Sequence, residues 1–67
     1  MLDENVLSIL NDIAEAIKEA GLNPYDQLYG YMVTGGDRYI TRNRKARERI
    51  KEVSFEDIQI YLYECKK

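Results

Sequence analysis

The sequence predicts an all-α protein, a compact bundle of about four short helices, and three observations carry that prediction. Apolar residues recur every three or four positions from Leu2 to Ala20. Helix start and stop signals then punctuate the chain at Asn23-Pro24, Gly35-Gly36 and Ser54 to Asp57. The one stretch that alternates like a strand, Ile58-Gln59-Ile60-Tyr61-Leu62-Tyr63, follows a helix cap and has no partner strand. At 67 residues there is room for one domain, 1–67, with a small core. A chain of about 60 residues hides only ~60% of its unfolded surface. Chains below ~70–80 residues usually add disulfides, a metal or self-association. Cys65 is the only cysteine and there is no histidine, so neither an internal disulfide nor a metal site is expected. A homodimer is the remaining expectation.

Taken in order, Leu2, Val6, Leu10, Ile13, Ile17 and Ala20 form the stripe of a first helix, widened by Leu7, Ile9 and Ala14. Asp3 is placed to cap it, Asp12, Glu15, Lys18 and Glu19 lie on its wet side, and Gly21 ends it. A second helix starts at Asn23, a good N-cap, with Pro24 preorganised for the first turn and Asp26 complementing the dipole. It runs to about Thr34 and stops where Gly35-Gly36 supply a positive φ. Leu28, Tyr31 and Met32 give it one apolar side, and Tyr25, Tyr29 and Val33 another. Thr34-Gly35-Gly36-Asp37 lacks the Lys-Ser/Thr of a P-loop and any preceding strand, and it reads as a helix stop.

A third helix is expected from Thr41 or Asn43 to about Glu52, with a narrow stripe of Ala46, Ile50 and Val53 and with Arg44 in reach of Glu48. Ser54 and Asp57 then form a capping-box variant, flanked by Val53 and Ile58 as a hydrophobic staple. Such a cap contributes ~1 kcal/mol. In the fourth helix Phe55, Ile58, Leu62 and Cys65 fit the core face. Ile60, Tyr61 and Tyr63 lie off it and are the expected dimer interface, because a monomer rarely leaves so much apolar surface in water.

The charge is segregated. From Arg38 to Lys51 seven cations meet one acid, a net +6, while the remainder carries three cations against eleven acids, a net −8. Segregation of this kind concerns partners, not fold. Either these cations pair with the protein's own acids on a solvated face, or they form a contact surface. No apolar run approaches the ~20 residues of a membrane span and no signal peptide precedes the first helix, so a cytoplasmic location is expected. Without histidine, with Cys65 lacking a base and with no paired carboxylates, the chain offers no catalytic residues and implies no cofactor. A helix, a glycine turn and a basic segment over 38–51 also suggest a helix-turn-helix that binds nucleic acid. Against that alternative stands a pI of about 5.0, where DNA-binding domains usually exceed about 9.

Asn23-Pro24, Gln27, Gly30-Tyr31, Gly35, Tyr39-Ile40, Arg42, Ala46-Arg47 and Ile50 together form a gapless pattern. It resembles the core motif of the IreB family, NPxxQxxGYxxxGDxxYIxRxxxARxxI. The resemblance implies a small all-helical homodimer of the cytosol of Gram-positive bacteria. It further implies a substrate of the transmembrane Ser/Thr kinase that senses cell-wall precursors. Such proteins restrain peptidoglycan synthesis and antibiotic tolerance by controlling proteolytic turnover of an early peptidoglycan enzyme. Three positions depart from the pattern. Family members carry a phosphorylated threonine in a flexible N-terminal tail, whereas no threonine precedes Thr34 here, and a shortened relative without that switch is expected. Gly36-Asp37 stands in place of Asp-Pro, and Thr41 in place of a proline.

Arg42 and Arg47 match the family's basic positions, and Arg38, Tyr39, Arg42, Arg44 and Arg47 are the expected contacts to a protein partner. Arginine suits that role because its planar fork pairs carboxylates at two points. Tyr39 is either the aromatic anchor of that contact or a core residue. Thr41, between Arg38 and Arg42, is a candidate phosphoacceptor for a kinase.

Overall fold

The apolar stripe near the N-terminus becomes helix α1, Glu4–Glu19, which buries Leu10, Ile13, Ala14, Ala16 and Ile17. The computed structural model describes residues 2–65, and among them it has four α-helices and no strand. Asp3 holds the N-cap position of α1, yet its side chain makes no capping bond; its carbonyl accepts from the Leu7 N–H at 2.8 Å. At the other end Gly21 adopts φ 80°, and the N–H groups of Gly21 and Leu22 donate to the carbonyls of Lys18 (2.9 Å) and Ile17 (3.1 Å). That crossed pair satisfies carbonyls the helix end would otherwise leave open.

Helix α2, Pro24–Thr34, starts with the Asp26 N–H donating to Asn23 Oδ1 at 3.1 Å. It stops at Gly35, which takes φ 72° and donates its N–H to the Tyr31 carbonyl at 2.7 Å. Leu28 and Tyr31 are buried, while Tyr29 and Val33 are exposed and the Tyr25 and Tyr29 rings stack at 6.1 Å. Helix α4, Phe55–Cys65, lies chiefly against α2. Its first turn is held by the Asp57 N–H donating to Ser54 Oγ at 3.1 Å, and Val53 and Ile58 both enter the core. Phe55 is about half exposed and leans on the Tyr31 ring at 5.2 Å. The side chain of Cys65, assigned above to the apolar face, lies outside the described residues.

Two expectations are corrected. Tyr61 is not off the core face: it is buried, and its hydroxyl donates to Asn11 Oδ1 at 2.9 Å, so the ring sits in the core with its polar end satisfied on α1. The segment Thr41 to Glu52 is not one helix. It comprises a 3-10 turn at Asn43–Lys45, the single-turn helix α3 at Ala46–Arg49, and a second 3-10 turn at Ile50–Glu52. Arg44 and Lys45 have φ of 54° and 61°, in the left-handed region. The cause is tertiary. Asn43 Nδ2 donates to the Ala16 carbonyl (2.9 Å) and Glu19 Oε1 (3.1 Å), and Arg44 reaches Glu19 Oε2 (3.2 Å), while Ala46 and Ile50 must enter the core. A straight helix cannot meet both demands, so the backbone turns at a cost of roughly 1–2 kcal/mol per non-glycine residue. Arg44 accordingly pairs with Glu19 on α1 and not with Glu48.

Gly30 shows how tightly the next segment seats. A Cβ at this position would stand 2.9 Å from Tyr39 Cδ1 and 3.2 Å from Tyr39 Cγ, so the tyrosine ring lies directly on the helix backbone. Gly30→Ala therefore overpacks this contact and is expected to destabilise the fold by about 1–3 kcal/mol in thermal unfolding. In a Tyr39→Ala background the sign should reverse, because only the helix propensity of alanine remains, worth up to ~1 kcal/mol. An unchanged sign would place the ring elsewhere.

Candidate functional site

The ten residues from Gly36 to Lys45 connect α2 to α3, and apart from two 3-10 turns they have no regular structure. Their backbone groups need partners, and side chains supply them. Gln27 Oε1, on α2, accepts from the Thr41 N–H at 2.9 Å. Thr41 Oγ1 accepts from the Asn43 N–H at 3.2 Å. The Arg47 guanidinium donates through Nε to the Ile40 carbonyl at 3.1 Å and at longer range, 3.5 Å, to the Arg38 carbonyl. Lys51 adds an ion pair to Asp37 at 3.2 Å. Ile40, fully buried, anchors the middle of the connector in the core.

These contacts divide the five expected partner-facing residues. Arg47 is half-buried and turned inward onto backbone carbonyls, so its fork is used by the protein's own connector. Arg44 is tied to Glu19, an exposed pair. Arg38 and Arg42 are exposed and make no side-chain hydrogen bond or ion pair with any described residue. Tyr39 is 45% exposed, one face on Gly30 and the other toward water. The connector thus presents an aromatic ring and two uncommitted guanidinium groups. Sequence reasoning missed one further member, Lys45, exposed and likewise without a partner among the described residues. The signal for it was its place in a run of cations; nothing in the sequence marked its left-handed backbone.

Thr41 is half-buried, with its N–H and its hydroxyl both engaged in holding the connector. On α4, Tyr63 is 71% exposed and Ile60 is half-buried. The two residues, with Gln59 and Glu64, line an open hollow of about 270 Å³ on the outer face of the helix. Tyr61 instead lines, from the inside, a cleft of about 200 Å³ between α1, α2 and α4, with Ala14, Lys18, Tyr25 and Leu28. The basic segment 38–51 offers no continuous recognition helix for a DNA groove, because α3 is four residues long and follows two left-handed residues. No helix among the described residues is long and apolar enough to cross a membrane.

The geometry explains most of the sequence pattern noted above. Asn23 caps, Gln27 and Arg47 hold the connector, Gly30 seats Tyr39, Gly35 turns, and Ile40, Ala46 and Ile50 fill the core. Arg42 is left as the exposed patterned residue whose side chain makes no hydrogen bond or ion pair with any described residue. Arg47→Ala should leave the Ile40 carbonyl unpaired and destabilise the fold by about 1.5–3 kcal/mol in chemical denaturation, whereas Arg42→Ala should change stability by less than about 0.5 kcal/mol. Equal losses would assign Arg42 a structural role as well. Residues 2–63, nearly the whole chain, match the family described as IreB regulatory phosphoprotein. The protein belongs to the IreB family.

Proposed function

We propose that this protein is a small non-enzymatic cytoplasmic regulator that works as a homodimer and docks a protein partner on the connector between α2 and α3. Family membership supports the regulatory reading. By the same resemblance, its role is to restrain peptidoglycan synthesis and antibiotic tolerance under a cell-wall-sensing Ser/Thr kinase, through the turnover of an early peptidoglycan enzyme. The observation that carries the docking reading is the exposure of Arg42, three residues after the exposed Tyr39, on a connector whose other patterned residues serve the fold. An exposed guanidinium costs nothing to keep in water, and it loses little on meeting a carboxylate whose geometry it matches. Thr41 is the proposed acceptor if the kinase acts within 2–65. A phosphate there, between Arg38 and Arg42 in the chain, would bring its own oxygens into competition with Oγ1 for the Asn43 N–H, which couples modification to the shape of the connector.

The dimer is proposed to form through the outer face of α4, with Ile60 and Tyr63 at its centre. Tyr61 contributes only from beneath, as a core residue.

In the source organism, Arg38→Ala combined with Arg42→Ala should reproduce the effect of deleting the gene on antibiotic tolerance and on the level of the peptidoglycan enzyme. The variant protein should persist at normal abundance with an unchanged far-UV helical signal. Parental behaviour of that strain would end the docking reading. For the dimer, light scattering should give twice the chain mass for the parent and a folded protomer for Ile60→Glu with Tyr63→Glu. A parent that stays at the mass of one chain over the whole concentration range would remove the dimer.

A further inference from the structure

Of the seven cations between Arg38 and Lys51, four are committed. Arg44 pairs with Glu19 (3.2 Å), Arg49 with Asp12 (3.1 Å) and Lys51 with Asp37 (3.2 Å), and Arg47 serves the carbonyls of Ile40 and Arg38. Arg38, Arg42 and Lys45 have no partner among the described residues, although Glu48 and Glu52 follow them closely in the chain and make no ion pair there. All three lie on one pinned connector. Lys45 donates its backbone N–H to the Arg42 carbonyl at 3.2 Å across a single 3-10 turn, and Arg47 fixes the carbonyl of Arg38. Lys45 also occupies a left-handed backbone position, φ 61°, where glycine or asparagine would be less strained. The side chain at this position makes no hydrogen bond or ion pair with any described residue to offset that strain. The contacts of Asn43 and Arg44 with α1 account for the turn, but they do not call for a lysine at its second position, and this exposed lysine has no charged partner among the described residues.

We propose that Lys45, with Arg38 and Arg42, forms a receptor for a short acidic, carboxylate-bearing segment of a partner protein, and that the strained turn at Arg44-Lys45 aligns the lysine with the two arginines. This rests on the docking reading given above and names the chemistry of the partner. A short acidic segment feels the local +3 of these residues. A long polyanion such as duplex nucleic acid also meets the net −8 that the rest of the chain carries, and is repelled. Tyr39, exposed beside the cations, gives the segment a flat apolar surface to lie against.

The test uses the full chain, a short fluorescein-labelled oligoglutamate peptide and labelled duplex DNA, followed by anisotropy at low and at physiological salt. The parent should bind the peptide in a salt-sensitive manner and bind the duplex more weakly. Lys45→Met keeps the backbone strain and removes the charge, so it should weaken peptide binding about two- to fivefold with an unchanged Tm. Lys45→Gly should weaken binding equally while Tm is retained or raised by up to about 4–8 °C. Duplex bound more tightly than peptide, or peptide affinity unaltered in both variants, overturns the proposal. A fall in Tm for Lys45→Gly also overturns it, because the lysine would then be holding the fold. The docking reading fails separately, in the cell, if the Arg38 and Arg42 substitutions are silent there.

Discussion

A chain that leaves one helix and enters the next without a sheet or a continuous helix has to find partners for its backbone groups elsewhere. In this protein that requirement falls on the ten residues after Gly35, and three side chains meet it. Gln27 reaches across from α2 to the Thr41 N–H, Arg47 reaches back from α3 to the Ile40 carbonyl, and Thr41 Oγ1 takes the Asn43 N–H. Asn43 in turn reaches out of the connector to the end of α1, so the connector registers the relative placement of three helices. The core beneath is small, and Ile40 is the connector's own contribution to it. Removing Gln27 or Arg47 would take away the partner of a half-buried backbone group of the connector, which costs more than the bond itself contributes.

The same arrangement divides the positive charge into two classes. Cations at Arg44, Arg49 and Lys51 are exposed ion pairs, each adding at most ~1 kcal/mol, and they link the connector and α3 to their surroundings. Arg38, Arg42 and Lys45 contribute nothing of this kind. Pairing with the protein's own acids, one of the two explanations left open by the sequence, therefore accounts for only part of the charge asymmetry.

Local signals made much of the fold legible. The stripe of α1, the Asn23 cap with Pro24, the left-handed stop at Gly35 and the Ser54 cap of α4 are each written in residues whose chemistry acts within one turn. What escaped was set at long range. Arg44 and Lys45 are good helix formers, and nothing adjacent announces that they will turn left-handed; the reason lies on α1, at Ala16 and Glu19. The helical spacing of Phe55, Ile58 and Leu62 puts Tyr61 off the apolar face, but Asn11, fifty positions earlier, receives its hydroxyl and the ring is buried. Asp3 occupies its expected position without forming the expected bond. For the site, residue type identified a basic, aromatic segment, but only geometry separated Arg47, which holds the connector, from Arg42, which does not.

Because the connector is fastened at both ends and in its middle, its length is constrained far more than its composition. One residue more or less would carry Ile40 out of the core and move Thr41 away from Gln27, whereas exchanging the unpaired charges breaks no hydrogen bond or ion pair among the described residues. A surface built this way can change its charge by small steps without refolding, while its shape is held by mechanics.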